Sequence, residues 1–366
     1  YHAREVAEHL AKLCGAHLVL GSATPSLEAY AKAEAGIYKL FSLKKRAGSG
    51  RPAEVEVVDL RREMEAGNKS VFSRRLQDLM EDRLKKGQQI MLFMNRRGYS
   101  SFVSCRSCGV AIKCPHCDVS LTQHNNRRLV CHYCGYTIPQ PGACPVCGSE
   151  YLAGFGIGTQ KVEEMAAIRF PEAKILRMDS DTTSRKGGHE SILSAFAKGK
   201  ADILIGTQMI VKGHDFPGVT LVGVLAADIS LYAPDFRCAE RTFQLLVQAA
   251  GRAGRGSNPG TAVIQTYIPE HYAVKAASHQ DYGTFFRQEM GYRQLMHYPP
   301  ASHMLGLQVA GRDESLTSRM MELIGQSVAR HFASCVEVIG PVPAPIYKVN
   351  DIYRKILYMK QENYDI

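Results

Sequence analysis

Four Cys-x-x-Cys pairs lie between residues 105 and 147: Cys105/Cys108, Cys114/Cys117, Cys131/Cys134 and Cys144/Cys147. A pair at this spacing puts two sulfurs on one tight turn and supplies half of a tetrahedral thiolate shell. Eight such thiols are enough for two four-cysteine zinc sites. Tight disulfide loops do not need repeated pairs, and a chain of 366 residues needs no staples to hold a core. Thirteen residues separate Cys117 from Cys131, the scale of a ribbon hairpin. That favours nesting, with Cys114/Cys117 joined to Cys131/Cys134 and Cys105/Cys108 joined to Cys144/Cys147 across the outside. The sequential pairing of neighbours is the alternative. His116 and His132 fall inside pairs and, with eight cysteines present, are read as loop residues. Four thiolates leave no open coordination position, so such zinc is structural. Cys14, Cys238 and Cys335 remain as unpaired, inert thiols.

The formal net charge is +10, which favours a polyanionic partner. Two zinc ions and eight thiolates together subtract four charges, so the metallated chain stands near +6. Charge alone is therefore a weak argument for nucleic acid. No stretch approaches the ~20 apolar residues of a membrane span, and no basic-then-apolar leader opens the chain. The expectation is a reducing cytoplasm and no membrane. A chain opening on Tyr1 reads as a fragment.

The periodicity alternates between helices and buried strands. A helix is expected over residues 2–13 and a short buried strand over 17–20. Thr24 is expected as the N-cap of a helix reaching about Ala35, with Pro25 in its first turn. The basic, Gly-rich run 44–51 reads as a linker. Strands follow at 54–60, 90–94, 174–178, 202–205 and 221–225, and helices at 73–86, from 159, at 190–198 and at 243–250. Such alternation means a parallel sheet with helices on both faces. From about Tyr298 a strand (304–309), a long helix (314–332), a strand (336–339) and a Pro-rich turn suggest a small α+β domain.

Three motifs carry chemistry. In Gly206-Thr207-Gln208, followed by Lys212-Gly213-His214-Asp215, a turn after a strand exposes N–H groups and hydroxyls suited to a phosphate backbone. Thr207, Gln208 and Lys212 are the candidates for that contact. Gly213 and Asp215 are candidates on the ATP side, with Asp215 holding a ribose or ordering the motif that follows. In Gln248-x-x-Gly251-Arg252-x-Gly254-Arg255 the glycines permit close approach, and Arg252 and Arg255 can reach a γ-phosphate on a facing lobe, with Gln248 beside them. Ser22-Ala23-Thr24 is similar to the element that links ATP and nucleic-acid sites in superfamily 2 helicases, which makes Thr24 a nucleic-acid candidate. The chain has no G-x-x-x-x-G-K-[ST] and no Asp-Glu-x-[HD] motif. The expectation is that both belong to a lobe preceding Ser22.

The linear order of features resembles the PriA (primosomal protein N′) family. The features are Gly21-Ser22-Ala23-Thr24-Pro25-Ser26, Asn95-Arg96-Arg97-Gly98-Tyr99, the four Cys pairs, Gly156-x-Gly158-Thr159, Lys212-Gly213-x-Asp215-Phe216, Asp235-Phe236-Arg237, the Gln248–Arg255 motif and Gly340-Pro341-x-Pro343-Ala344-Pro345. Ala226-Ala227-Asp228 departs from the family's Asp-rich pattern. The resemblance implies an ATP-driven 3′→5′ DNA helicase that binds branched replication forks and single-stranded DNA. It implies zinc, ATP and Mg2+ as cofactors, and single-stranded-DNA-binding and helicase-loading (primosome) proteins as partners. Arg96 and Arg97 join the nucleic-acid candidates, and Arg106, Lys113, Arg127, Arg128 and Tyr133 would be presented by the insert to DNA or a partner. The expected domains are the end of a first motor lobe (1–43), a RecA-like α/β second lobe (44–98 and 150–297), a zinc-ribbon insertion (99–149) and a truncated C-terminal α+β domain (298–366). A non-enzymatic zinc-ribbon module on an inactive lobe and a zinc-containing RNA helicase are the competing readings.

Overall fold

A computed structural model describes residues 2–43, 52–94, 103–112, 115, 120–123, 128–130, 136–154, 158–179, 182–183, 188–207, 210, 216–232, 235–256, 258–332 and 334–362. The chain forms two units, Tyr1–Phe41 and Ser42–Ile366. The expected 44–51 linker lies outside the described residues.

The first unit holds helices α1 (Ala3–Cys14) and α2 (Leu27–Glu34). His2 caps α1 by accepting the Arg4 N–H, and Gly15 ends it in the left-handed region at φ 62°. Glu8 of α1 accepts from Lys32 Nζ (2.8 Å) and Tyr38 Oη (2.7 Å), which ties the two helices together. The Lys32 hydrogen bond is the main reason the Glu8 carboxyl is held down at about 2. Two expectations fail here. Residues 17–20 form no strand and are exposed, Val19 to 88%. A strand needs a neighbour to pair with, and the described residues of this unit contain no other strand. The cap of α2 is Ser26, whose Oγ accepts the Ala29 N–H, and not Thr24, whose own N–H donates to Ser22 Oγ. Both Ser26 and Thr24 are good cap residues, and the chain uses the later one.

The second unit begins with β1 (Glu54–Asp59), α3 (Leu60–Glu65), α4 (Arg74–Lys85) and β2 (Gln89–Met94). A small-stranded region follows, with β3 (Val103–Cys105), β4 (Thr122–Gln123), β5 (Arg128–Val130), β6 (Thr137–Pro139) and β7 (Leu152–Gly154). Next come α5 (Thr159–Arg169), β8 (Ile175–Met178), α6 (Gly188–Ala197), β9 (Ile203–Gly206), β10 (Val219–Leu225), α7 (Cys238–Ala250), β11 (Thr261–Thr266), α8 (Tyr272–Ser278) and α9 (Tyr282–Leu295). The chain closes with β12 (His303–Gly311), α10 (Glu314–Phe332), β13 (Glu337–Val349) and β14 (Ile352–Gln361).

Six strands form one parallel sheet in the order β1-β11-β10-β2-β9-β8. Every residue of β9 and β10 is buried, which is why these runs are dominated by Val, Ile and Leu rather than alternating with charged residues. On one face Ile90, Leu92, Ile203, Ile205, Leu221 and Leu225 pack with Leu76 and Met80 of α4 and Val162 and Ala166 of α5. The intervening residues Met91, Phe93, Leu204, Val222, Val224 and Ile264 are equally buried. Helix α7 packs on β10 and β11, and α8 packs on β1. Ser73 caps α4, donates its N–H to Gln265 Oε1 (2.7 Å), and Gln265 Nε2 returns a bond to Val71 O (2.8 Å). One buried amide thereby fixes the start of α4 to β11.

In the small-stranded region, β3 pairs with β7, which lies beyond the expected 99–149 bounds, and β4-β5-β6 form a second antiparallel sheet. Val103, Ile112, Leu121 and Leu129 make its small core. The C-terminal region is a three-stranded antiparallel sheet, β12-β14-β13, crossed by α10. Thr317, Met321 and Gly325, spaced by four, are the buried face of that helix. The expected Pro-rich turn is instead part of β13, whose pairing with β14 shifts between Ile339 and Val342 and again between Pro343 and Lys348. Proline gives no ladder N–H, and β13 is an edge strand where that loss is tolerated. No helix among the described residues is long and apolar enough to cross a membrane.

Gly223 shows how tightly α4 sits on the sheet. A Cβ there would lie 2.9 Å from Leu92 Cδ2 and 3.1 Å from both Leu76 methyls. Gly223→Val should lower stability by about 1–3 kcal/mol through overpacking, read as a lower chemical-denaturation midpoint.

Candidate metal centre and the two edges of the sheet

Cys105, Cys108, Cys144 and Cys147 bring their sulfurs within 4.8 Å of one another. Two matched turns do this. Gly109 N donates to Cys105 O and Gly148 N to Cys144 O, each at 2.9 Å. Cys105 N donates to Val110 O (2.9 Å) and Cys144 N to Ser149 O (2.8 Å), so both turns close the same way. Gly109 and Gly148 take left-handed φ values of 79° and 72°, which explains a glycine directly after each pair. The Sγ–Sγ distances are 3.5 Å for Cys105–Cys147 and 3.7 Å for Cys108–Cys144. Zinc–sulfur bonds of about 2.3 Å in a tetrahedron set sulfurs about 3.8 Å apart, so the four residues fit Zn2+.

Burial opposes ionisation of Cys105, but N–H groups of Cys108 and Ser107 outweigh it and bring the thiol down to about 7. Burial pushes Cys108 up to about 12. A bound dication would hold all four as thiolates. The outer half of the nested arrangement is therefore the observed grouping. Cys114, Cys117, Cys131 and Cys134 lie outside the described residues, as do His116 and His132.

The Cys105–Gly109 turn is docked on the carboxyl edge of the parallel sheet. Tyr232 Oη donates to Gly109 O (2.8 Å), and Arg106 Nη1 donates to Tyr267 Oη (3.2 Å) with its guanidinium 5.4 Å from the Tyr267 ring. A Cβ on Gly109 would meet Tyr267 O at 2.8 Å. Tyr267 follows β11, and its N–H donates to Asp228 Oδ2 (2.9 Å), while Thr266 Oγ1 donates to Asp228 Oδ1. Burial raises the Tyr232 phenol, which keeps it an O–H donor. Asp228, marked in the sequence only by the departure of Ala226-Ala227-Asp228 from the family's Asp-rich pattern, is fully buried, and its tie to Tyr267 carries no sequence signal of its own.

The Gln248–Arg255 motif occupies the opposite, amino edge. It leaves the end of α7, and Gly254 N donates to Val219 O, the first residue of β10, at 3.0 Å. Gly254 has φ 71°, and a Cβ there would meet Gly260 N at 2.5 Å. Arg255 is exposed and its Nε donates to Gly251 O (2.9 Å), while Gln248 and Arg252 are half-buried. Thr207 is half-buried at the end of β9, on the carboxyl edge, and Thr24 is buried in the first unit. Arg96, Arg97, Gln208, Lys212, Gly213 and Asp215 lie outside the described residues, as do Lys113, Arg127 and Tyr133.

A buried ion cluster also escaped the sequence. Arg293 of α9 donates to Glu289 (2.7 Å) and to Glu240 of α7 (3.2 Å) and lies over the Phe236 ring at 4.7 Å. Phe236 stacks on Tyr298 (centroids 4.9 Å apart), and Lys360 of β14 covers Tyr298 at 4.1 Å and donates to Met296 O (2.9 Å). This chain of contacts joins α7 to the C-terminal sheet.

Three family models match: the PriA DNA helicase Cys-rich region domain over residues 114–139, the helicase conserved C-terminal domain over 152–257, and the primosomal protein N C-terminal domain over 294–365. A replication restart protein PriA of Bacillus subtilis is 49% identical over 365 residues, 99% of this chain and 45% of that protein. Its counterpart in Synechocystis is 44% identical over 100% of this chain and 45% of that protein, and that in Chlamydia trachomatis 40% over 99% and 49%. The chain thus spans about half the length of the curated relatives it matches.

Two outcomes follow from this geometry. Gly109→Ala should strain the left-handed turn and push Tyr267, so that zinc is surrendered to a colorimetric chelator several times faster than from the parent. The second concerns Asp228, whose burial pushes its carboxyl up from 3.8 to about 6. The folded chain then holds a proton that the unfolded chain has lost. The stability Asp228 contributes is full below about pH 4 and is lost as pH rises through about 6. Asp228→Asn should flatten that part of the pH profile, measured by urea denaturation at about pH 5 and 7.5 with zinc content checked at both.

Proposed function

The chain belongs to the PriA family of replication restart proteins, and on that ground we propose that it serves an ATP-dependent 3′→5′ DNA helicase. This helicase recognises stalled or branched forks and promotes primosome assembly. Residues 44–98 and 150–297 act as the second motor lobe, 99–149 as the zinc insertion, 298–366 as the C-terminal domain, and 1–43 as the end of the first lobe. The observation that carries this reading is the separation of two surfaces on one sheet. The arginine motif is tied to the amino edge by Gly254 N–Val219 O, and the cysteine centre is tied to the carboxyl edge through Gly109, Tyr232 and Tyr267.

On the amino edge, Arg252 and Arg255 face the γ-phosphate held by the first lobe, with Gln248 beside them. Guanidinium groups there stabilise the charge that develops as the phosphoryl group transfers. Gly213 and Asp215 also serve the nucleotide. The residues that hold Mg2+ and the phosphates are not among these 366, which have no phosphate-binding lysine motif. Thr207, which ends β9 on the carboxyl edge, contacts the DNA strand, and Gln208, Lys212, Arg96, Arg97 and Thr24 are further nucleic-acid residues. Four-cysteine zinc supplies no open position for catalysis and serves as the fold of a DNA- or partner-contacting insert. A second zinc sits on Cys114, Cys117, Cys131 and Cys134. Single-stranded-DNA-binding protein and helicase loaders are the protein partners. Thiols that must stay reduced to hold metal suit the cytoplasm.

Metal analysis of protein purified without added zinc should give close to two ions per chain. In the full-length helicase, Arg252→Ala and Arg255→Ala should lower DNA-stimulated ATP turnover by about 10³–10⁵ while zinc content and DNA binding persist. Cys108→Ser with Cys144→Ser should spare ATP hydrolysis and abolish fork unwinding. ATPase loss in the cysteine variant equal to that of the arginine variants would overturn the division of labour.

A further inference from the structure

A cavity of about 240 Å³ opens on the carboxyl edge, between the sheet and the metal-binding turn. Its floor is Met94 and Leu225 at the ends of β2 and β10, and one wall is Leu60 and Met64 of α3. Arg106 and Tyr267 form the opposite wall. Lys69 stands at the rim, 5.8 Å from the ring of Tyr151, which precedes β7 and is 57% exposed. Ala226 turns the chain in the left-handed region at φ 52°, so the backbone after β10 bends away at the cavity. Arg106 sits between two metal ligands and lies over Tyr267, so its guanidinium is set in place by both the metal turn and the aromatic platform.

We propose that this cavity is a subsite for one base of a single-stranded nucleic acid, with Arg106 stacking on the base and Lys69 meeting its phosphate. The proposal rests on the nucleic-acid reading of the carboxyl edge and adds a seat to it. Pockets for drug-sized ligands run from ~300 to 1,000 Å³, so this one is the size of a single ring system. Glu63, Asn68 and Gln265 also line it, and Glu63 is engaged by Asn68 Nδ2 and Arg74. The apolar floor, the Arg106 guanidinium plane and the Lys69 ammonium are the groups that single strands use when bases stack without sequence preference. Met94 closes β2 in the cavity floor and Thr207 directly follows β9, its strand neighbour, on the same edge, so the cavity lies beside a described nucleic-acid candidate.

The test is fluorescence anisotropy of a labelled oligo(dT) with the 366-residue chain, its Lys69→Ala variant and its Arg106→Gln variant. Zinc content and thermal midpoint are measured on each. Stacking on one base is worth roughly 1–3 kcal/mol, so Arg106→Gln should weaken binding by roughly 5- to 150-fold with zinc retained. Lys69→Ala should reduce the salt slope of log affinity by about 0.7, the value for one phosphate of a single strand. A poly-glutamate peptide of matched charge should compete poorly. If the parent binds oligo(dT) and both variants bind as well as it does, the subsite is wrong and the nucleic-acid reading stands. Equal competition by poly-glutamate would mark a general anion patch and overturn the subsite. Absence of oligo(dT) binding by the parent would overturn both. If Arg106→Gln loses zinc, Lys69→Ala decides alone through its salt slope.

Discussion

Parallel strands cannot be joined by hairpins, so each connection must travel back across the sheet before the next strand begins. All carboxyl ends therefore gather on one edge and all amino ends on the other. In this chain β10 is the strand on which both edges depend. Its first residue, Val219, accepts the Gly254 N–H, and three residues beyond its last, Asp228 accepts the Tyr267 N–H. The strand is buried at all seven positions and lies between β11 and β2. It acts as a rigid spacer that keeps the arginine turn and the cysteine turn apart while fixing both.

The two turns are built by the same device, left-handed glycines that allow backbone to meet backbone. Gly254 lies against Gly260 on the amino edge, and Gly109 lies against Tyr267 on the carboxyl edge. Each lies in a turn that carries a charged side chain: Arg255 directly after the first, Arg106 three residues before the second. A metal held by the four cysteines would add rigidity on the carboxyl side, where the Cys105–Gly109 turn docks; its loss would then take support from Arg106 and not from the contacts around Val219.

Much of this was legible in the residues. Buried runs such as Ile203–Ile205 and Leu221–Leu225 announce a parallel sheet, because only strands covered on both faces can be apolar throughout. The cysteine spacing announces the metal turns, and the outer pairs do converge. The arginine cluster was not legible. Glu289 and Arg293 are spaced by four, as in any solvated helical ion pair, and only Phe236, Tyr298 and Glu240 brought from elsewhere make them a buried joint. The run 17–20 misled because apolar composition is shared by strands and by irregular segments, and the described residues of its unit hold no strand to pair with. The prolines of β13 misled because edge position, which excuses them, is a property of the sheet and not of the sequence.

The central claim is that the metal centre supports one edge of the sheet and not the other. Amide hydrogen exchange of this chain, with zinc bound and after chelation, tests it most directly. Chelation should deprotect residues 103–112 and 144–154 and the Tyr267 N–H bonded to Asp228, and leave Gly254 N–H as protected as before. Equal loss of protection at Gly254 and its neighbours would show that the two edges are not independent and would contradict the account.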